Sequence, residues 1–385
     1  MEIVVIAPVL PFDPRDGHRL AVLSDLFAIL DNRLSLGLIA FTHGGEKDTI
    51  SPLCPQKRIE ARTGGFAGRF VRGLFAGVPP SAERLYGARA RREVLDALLA
   101  WKPRIVIIDD SLVAGYVPLI REILPKAKVV LRSHNVMHDV RLEQLRRTKG
   151  LTKPAIQFDC EKYIAFERKA VESCDAHWAI TEADAARMNE IYHRPASCLS
   201  VSLPLEKYEA LLPEQGRSNA FVHVGTIDFR RRSDLSQFLG ESWPKVLKAD
   251  SSATLTLAGS VHGKPIAARN VNYSGRVTCD ADVYRLGRFA LNFQSSTGGV
   301  KLKTLTSLAA GRALVSTVQG VEGLSIKPGC HYWEIDSFML SPHLKDMLRD
   351  PGASRSTADA GRQYVAANHS RVAISSQFSK LLEAI

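Results

Sequence analysis

The 385-residue chain has no apolar run long enough to cross a bilayer, which argues against a membrane-spanning helix. Its first residues, MEIVVIAPVLPF, lack a basic leader and a small-residue cleavage site. They are therefore predicted to form a first strand and not a signal peptide. The six cysteines show no CxxC or CxxH spacing. This absence excludes the usual zinc motifs and indicates a reduced, cytoplasmic setting in which no metal is expected.

The charge of the chain is strongly unbalanced. Lys and Arg number 51 against 40 Asp and Glu, and the net charge of +11 calls for an anionic partner. No zinc-finger, RNP or helix-turn-helix signature accompanies this charge, so nucleic acid is not expected. An anionic lipid surface and a nucleotide diphosphate remain as candidates. The length and the 45% hydrophobic content suit two α/β domains of similar size.

Strand-like and helix-like segments alternate along the chain. Helical spacing predicts helices over 20–30, 81–101 and 370–385, the second with Ser81 as its N-cap. Short apolar runs predict strands at 2–8, 34–41, 104–110, 128–134, 174–180, 220–227, 253–259, 271–277, 289–295 and 312–317. Such alternation implies parallel sheets with helices on both faces. The polar segment 203–220 is predicted to separate two domains.

The most informative segment is STGGVKLKTLTSLAAGRALVSTVQGVEGL, residues 296–324. Gly298 and Gly299 stand between a predicted strand and a helix expected to begin near Val300, where glycines let backbone amides approach a phosphate. Gly311 is predicted to end that helix. A plain tight turn has the same local pattern, so the pattern alone does not establish a phosphate site.

This segment resembles the nucleotide-binding region of family-4 glycosyltransferases of the GT-B fold. The agreement covers Lys303, Leu305, Ala310, Gly311, Thr317, Gly320, Glu322, Gly323 and Leu324. The stretch VGTIDFRRRSDLSQFLGESWPKV resembles the first strand, loop and helix of the same domain in that family. In the N-terminal half, DGHRLAVLSDL resembles the family's glycine-rich first loop. LRSHNVMHDVRL and AITEADAARM resemble its Arg-Ser-His-Asn element and the strand–helix unit that follows.

The resemblance implies an α/β fold of two Rossmann-like, doubly wound parallel-sheet domains facing across a cleft, which is the GT-B fold. An acceptor-binding domain is expected over 1–204, and a nucleotide-sugar-binding domain over 205–367. A C-terminal helix is expected over 368–385, crossing back to the first domain. The implied activity transfers a sugar, with retention, from a nucleotide-sugar to a glycan, lipid-linked or small-molecule acceptor. Neither a metal nor another cofactor is expected.

Candidate site residues follow from the same resemblance. His134 and Lys303 are the expected catalytic residues, one beside the sugars and one at the departing diphosphate. The donor is expected at Gly225, Thr226, Arg230, Arg231, Gly275, Arg276, Val277, Gly298, Gly299, Lys303, Thr306 and Glu322. The acceptor is expected at Gly17, His18, Arg19, Asp110 and Asn135.

Two positions depart from the family pattern. Retaining members carry two glutamates eight positions apart, where this chain has Gly298 and Thr306. Thr306 keeps a hydroxyl but lacks the stronger charged contact. Glu322, in the turn after a strand, is our hypothesis for the vacated ribose contact. The missing pair also supports an alternative, in which the chain is a non-catalytic descendant that binds a nucleotide or glycan and transfers nothing.

Several candidates have a structural explanation as well as a functional one. The arginine run at 230–232 also fits a solvated turn, and 275–277 also fit a strand end before a helix cap. Asp109 and Asp110 end a predicted strand and could be acceptor-side carboxylates, but capping of the next helix explains them equally well. Aromatic residues and arginines interleave over 64–92, which fits either docking on the inner face of an anionic membrane or a packed loop with a basic rim.

Overall fold

The structure, a computed structural model, describes residues 1–13, 16–44, 46, 48–75, 77–211, 219–295, 301–336, 339–340 and 344–385. Its internal contacts divide the chain into two compact units. The first unit comprises Met1–Ser202 together with Arg371–Ile385, and the second comprises Leu203–Ser370. Each unit is built around one mainly parallel sheet.

The first unit alternates strands and helices. Its strands are β1 (Ile3–Ala7), β2 (Leu36–Thr42), β3 (Gln56–Glu60), β4 (Ile105–Asp109), β5 (Lys128–Arg132), β6 (Ala176–Ala179) and β7 (Ser197–Cys198). The helices between them are α1 (Gly17–Asp31), α2 (Phe66–Phe75), α3 (Ala88–Trp101), α4 (Val117–Ile123), α5 (Met137–Arg147), α6 (Lys153–Ser173) and α7 (Glu182–Tyr192). All neighbouring strands pair in parallel, in the order β3-β2-β1-β4-β5-β6-β7.

The second unit repeats this plan. Its strands are β8 (Ala220–Val224), β9 (Thr254–Ala258), β10 (Val271–Gly275), β11 (Phe289–Asn292), β12 (Ala313–Ser316), β13 (Tyr332–Asp336) and β14 (Met339–Leu340). The helices are α8 (Glu206–Glu209), α9 (Phe229–Gln237), α10 (Trp243–Ala249), α11 (Asp280–Tyr284), α12 (Leu302–Ala309), α13 (Val318–Val321), α14 (Leu344–Arg349) and α15 (Pro351–His369). The order is β10-β9-β8-β11-β12-β13-β14, and β14 alone runs antiparallel to its neighbour.

Both sheets have the strand order of a doubly wound fold. In each, the order reverses once, between β1 and β4 in the first unit and between β8 and β11 in the second. Strands covered on both faces must be apolar throughout, and all five residues of β1 are buried. The predicted fold class of two Rossmann-like parallel sheets is therefore confirmed. Loops beyond the carboxyl ends of the strands at such a reversal form the usual ligand crevice.

Helix α16 (Arg371–Glu383) closes the chain and belongs to the first unit, where it packs against α1. Phe378 is buried edge-on against Trp178, with ring centroids 5.6 Å apart. Arg371 forms an ion pair with Asp31 at the end of α1. Among the described residues, no helix is both long and apolar enough to cross a membrane.

The predicted helix over 81–101 is wrong at its start. Helix α3 begins at Ala88, and Gly87 in extended backbone (φ −62°, ψ 153°) is its N-cap. Ser81 does not cap this helix, because its hydroxyl accepts from Arg141 Nη2 at 3.1 Å and its amide donates to Asp159 Oδ1 at 2.8 Å. A periodic pattern cannot show that an extended glycine interrupts it.

Other boundaries agree with the sequence more closely. Thr181 caps α7 by accepting from the amide of Asp184 at 3.0 Å. Gly311 ends α12 in left-handed backbone (φ 62°), and it donates to Leu308 O at 2.9 Å. Residue 300, where that helix was expected to begin, lies outside the described residues. Strands β3, β7, β13 and β14 were not predicted; β3 (QKRIE) is mostly polar, and β7 and β14 have two residues each.

Candidate functional site

Three glycines mark the carboxyl ends of neighbouring strands in the second unit. Gly225 follows β8, Gly259 follows β9 and Gly275 ends β10, with φ of 139°, 133° and 68°. Gly225 N donates to Ala258 O at 2.8 Å, and Gly259 N donates to Gly275 O at 2.7 Å. A Cβ on Gly259 would lie 2.4 Å from Gly225 O. Side chains are excluded here, so the edge of the sheet presents bare backbone.

Lys303 lies directly over one of these glycines. A Cβ on Gly225 would lie 2.2 Å from Lys303 Cε and 2.6 Å from Lys303 Nζ. The ammonium makes no hydrogen bond or ion pair with any residue that the structure describes. Burial, together with the nearby charge of Arg231, lowers the pKa of Lys303 to about 7. An unpaired, desolvated ammonium over open backbone is arranged to receive an anion.

The loop after β8 carries the next predicted donor residues. Arg231 N donates to Asp228 Oδ1 at 2.9 Å, and Arg231 Nη1 donates to Thr226 O at 3.1 Å. Thr226 is exposed, with its hydroxyl 3.3 Å from that of Ser260. Held by these contacts, Arg231 lies close enough to Lys303 for its charge to lower the pKa of Lys303. The side chain of Arg230 and the whole of Gly298 and Gly299 lie outside the described residues.

A network of hydroxyls occupies the position of the second missing glutamate. The hydroxyl of Tyr284 lies 2.9 Å from Thr306 Oγ1 and 3.2 Å from Ser307 Oγ. Ser307 in turn donates to Lys303 O at 2.6 Å. Thr306 is therefore linked to the backbone that carries Lys303.

The remaining predicted donor residues are on the surface of the second unit. Glu322 is 43% exposed, with one carboxylate oxygen 3.9 Å from Lys301 Nζ. Gly275 and Arg276 are exposed, as is Val277. The structural alternative for 275–277 was a buried strand end before a helix cap. These residues are exposed, so the strand end is not a buried one.

In the first unit, two histidines converge on one carboxylate. His18 in the first turn of α1 places Nε2 3.1 Å from Asp109 Oδ2, and His134 after β5 places Nε2 2.8 Å from Asp109 Oδ1. The imidazole centroids are 4.6 Å apart. The side chains of Asp109 and His134 are 1% and 4% exposed, while that of His18 is 25% exposed. The cluster lies where the strand order of the first sheet reverses.

Electrostatics within this cluster are strong. Burial alone would lower the pKa of His18, but the hydrogen bond and charge of Asp109 outweigh it and raise that pKa to about 9. Burial would raise the pKa of Asp109, yet His134 and His18 hold it well below its ordinary value. A second buried pair lies nearby, in which Arg132 Nε donates to Asp25 Oδ2 at 2.8 Å. The geometry thus supplies oriented imidazole nitrogens beside a fixed carboxylate.

The other predicted acceptor residues are placed around this cluster. Gly17 begins α1, and Arg19 pairs with Asp16 and with Glu46. Asp110 has φ 78° and accepts from Leu112 N at 2.8 Å, so it caps the short 3₁₀ helix Ser111–Tyr116. Asn135, directly after His134, is half-buried.

Segment 64–92 is tied to the rest of the first unit. The guanidinium groups of Arg62 and Arg72 both contact the buried carboxylate of Glu83, at 3.0 Å and 2.7 Å. Phe70 packs on Phe158 with ring centroids 5.3 Å apart. The side chains of Phe66, Leu74 and Phe75 lie outside the described residues.

Comparisons with known proteins agree with this architecture. No protein-family model matches the chain, and no curated protein matches it in sequence. Sucrose-phosphate synthase from Thermosynechococcus elongatus matches with a TM-score of 0.70 at 15% identity, over 100% of this chain and 99% of that one. HepE from Anabaena, in complex with UDP, matches with a TM-score of 0.69 at 9% identity, over 100% of both chains.

A third solved structure, the lipopolysaccharide outer core galactosyltransferase WaaB, matches with a TM-score of 0.60 at 14% identity. That match covers 100% of this chain and 99% of the other. All three are GT-B glycosyltransferases. The chain therefore has the GT-B fold, as the sequence resemblance implies.

Sequence reasoning missed the role of Asp109 as the partner of both histidines. The residue was considered only as one of two carboxylates at a strand end. The usable signal was its place at the end of β4, next to the point where the strand order reverses. His18 and His134 were both predicted, but no spacing rule links residues 18, 109 and 134.

Proposed function

We propose that the chain is a glycosyltransferase, which binds a nucleotide-sugar at the second unit and transfers its sugar to a glycan, lipid-linked or small-molecule acceptor. The observation that carries this proposal is the buried ammonium of Lys303, which lies over the bare backbone of Gly225 and has no ion pair among the described residues. HepE, which shares the fold, has been solved with UDP and with UDP-glucose. A nucleotide diphosphate is the anion that such a site fits best.

The chemistry requires stabilisation of the departing diphosphate. Negative charge grows on the phosphate oxygens as the bond to the sugar breaks, and fixed donors in a desolvated site stabilise it most. Lys303 and Arg231 supply positive charge, and the loop after β8 supplies amides. On this proposal His134 and His18 contact sugar hydroxyls in the first unit. Retention of configuration follows from the family-4 resemblance.

The test begins with binding. We expect one of the UDP-, GDP- or ADP-linked sugars to raise the melting temperature of the full chain. Lys303→Ala should weaken that binding about 10- to 100-fold, the range for a hydrogen bond to a charged group. Lys245→Ala is the matched control, since Lys245 is an exposed lysine on α10. Failure of the whole panel to stabilise the protein would overturn the proposal.

Turnover separates the enzyme from the non-catalytic alternative. With the stabilising nucleotide-sugar, slow release of free nucleotide is expected even without a known acceptor, since water is a poor substitute acceptor. Binding with no release, across glycan, lipid-linked and small-molecule acceptors, would favour a protein that holds a nucleotide or glycan without transferring it.

We also propose an anionic membrane surface as a partner, which suits a lipid-linked acceptor. The turn between α5 and α6 supports it, because Leu151 is fully exposed there beside exposed Lys149 and Lys153. Leu151→Glu should reduce co-flotation with vesicles containing anionic lipid. Wild-type protein that does not float with such vesicles would contradict this part of the proposal.

A further inference from the structure

Two arginines of the first unit carry charges that no acidic side chain among the described residues neutralises. Arg69 lies on α2, and Arg84 lies on the short 3₁₀ turn Glu83–Leu85 between α2 and α3. Both side chains are half-buried, and the Nε atom of each is buried without a hydrogen-bond partner. A buried N–H group without an acceptor costs free energy. Both guanidinium groups would therefore gain from an incoming anion.

The local fold holds these two guanidinium groups near each other. Glu83, next to Arg84 in the chain, accepts from Arg72 Nε at 2.7 Å and from Arg62 Nη1 at 3.0 Å. Arg72 is three positions after Arg69, so the two side chains share one face of α2. Burial, together with the nearby charge of Arg69, lowers the pKa of the Arg84 guanidinium. The carboxylate of Glu83 is thus engaged by two other arginines, while Arg69 and Arg84 repel each other.

The unpaired arginines lie towards the edge of the sheet where the acceptor is expected. His43 follows β2, and its Nε2 atom lies 3.1 Å from Pro8 O, just beyond β1. Burial and the charges of Arg84 and Arg19 lower the pKa of His43, so this imidazole is near both guanidinium groups. Arg19 is next to His18 in the first turn of α1. One edge of the first sheet therefore carries the predicted acceptor residues and the unpaired arginines.

Two uncompensated guanidinium groups suit a phosphoryl group better than a carboxylate. A guanidinium presents a planar fork of N–H donors that matches the oxygens of a phosphate in pairs. A phosphate monoester carries a charge of about −1.5 to −2 at pH 7 and can neutralise two arginines, whereas a carboxylate neutralises one. Arg19 does not contribute to this excess of charge, because it already pairs with Asp16 and Glu46.

We propose that Arg69 and Arg84 bind a phosphoryl group carried by the acceptor, an inference that rests on the proposed transferase function. The hydroxyl that receives the sugar then lies at His18 and His134, and the phosphoryl group lies at the arginines. A lipid monophosphate and a soluble sugar phosphate both carry this group, so the two arginines define the chemistry of the acceptor and not its source.

Inorganic phosphate tests the site in the absence of a nucleotide. It is titrated into the full-length Lys303→Ala variant, in which the anion site of the second unit is weakened, and calorimetry should show one phosphate ion per chain. Arg69→Gln and Arg84→Gln, each made in that background, should weaken this binding about 10- to 100-fold, the range for a hydrogen bond to a charged group. Arg92→Gln is the matched control, because Arg92 is an exposed arginine on α3.

Protein stability separates a binding role from a structural one. Because Arg69 and Arg84 repel each other without an anion, either glutamine variant should have a denaturation midpoint equal to or above that of the wild type. Arg72→Gln removes a contact with the buried carboxylate of Glu83 and should lower the midpoint. A lowered midpoint in Arg69→Gln and Arg84→Gln would show that these arginines hold the fold together, against the proposal.

Two further titrations identify the source of the phosphoryl group. Glucose 6-phosphate represents soluble acceptors, and phosphatidylcholine vesicles containing phosphatidic acid represent lipid-linked ones. Binding to either probe that is lost in Arg84→Gln supports the proposal, and binding to neither contradicts it. The proposal is also overturned by unchanged phosphate affinity in both folded arginine variants, or by acetate that binds as tightly as phosphate.

The nucleotide-sugar panel is repeated with the same variants. Arg69→Gln and Arg84→Gln should leave the affinity for the nucleotide-sugar unchanged, because that ligand is expected at the second unit. If the panel fails while phosphate binds at the two arginines, only the transferase function is lost. If phosphate fails to bind while the panel succeeds, only the phosphoryl site is lost.

Discussion

The low pKa of Lys303 predicts that nucleotide-sugar binding takes up a proton above neutral pH. In the free protein burial holds this pKa at about 7, against an ordinary value of 10.5. A diphosphate beside the ammonium stabilises its charged form and raises the pKa towards or above the ordinary value. A nucleotide-sugar is the right probe, because its diphosphate is a diester and does not titrate in this range.

The expected size follows from the titration. At pH 8, about nine in ten Lys303 side chains are neutral in the free protein and nearly all are charged in the complex. Binding therefore takes up about 0.9 proton at pH 8 and about 0.1 at pH 6. The affinity is nearly constant below about pH 6, falls about twofold by pH 7 and falls about tenfold between pH 8 and pH 9. The affinity falls as the pH rises because the complex binds more protons than the free protein.

Calorimetry in buffers with different ionisation enthalpies measures this proton uptake. Lys303→Arg should bind without uptake, because a guanidinium stays charged throughout the range. Lys245→Ala should behave as the wild type. An affinity that is constant from pH 6 to pH 9, with no proton uptake, would refute the contact between Lys303 and the diphosphate.

Three further substitutions test the sites. Gly225→Ala should cost about 1–3 kcal/mol of unfolding free energy and displace Lys303, whereas Gly240→Ala, with nothing near its Cβ, should be neutral or stabilising. Equal denaturation midpoints for these two variants would contradict the close approach. Glu322→Ala should weaken nucleotide binding about tenfold or more in calorimetry if Glu322 holds the ribose; unchanged affinity removes that role. His134→Ala should lower nucleotide release by about 10²- to 10⁴-fold and leave nucleotide affinity intact; an unaffected rate would exclude a catalytic role.

Much of the fold could be predicted because buried parallel strands have a strong sequence signature. Runs such as IVVIA in β1 and ALVS in β12 are buried at every position, so their pattern is continuous and apolar. The polar strand β3 lies at a sheet edge and has no such signature. The start of α3 was mispredicted because helical spacing continues through Gly87 although the backbone does not.

Some residues of the candidate sites could likewise be predicted from local sequence patterns, and others could not. Gly225 and Lys303 were each predicted from their own segments, and the structure brings them into contact. Asp109 could not be ranked above Asp110, since both end the same strand. Only the three-dimensional structure shows that one side chain turns to the histidines and the other to a helix cap. Contacts between segments distant in sequence are not encoded in any local pattern.

The two units share one strand order but carry different residues at the same edge of the sheet. In both, the candidate residues lie beyond the carboxyl ends of the strands at the reversal of strand order. In the second unit, glycine backbone and an unpaired lysine at this edge fit an anion. In the first unit, two imidazoles held by a buried carboxylate at the corresponding edge fit sugar hydroxyls. Since the strand order is shared, this difference arises from the few residues that follow the strands, chiefly Asp109 and His134 in one unit and Gly225 in the other.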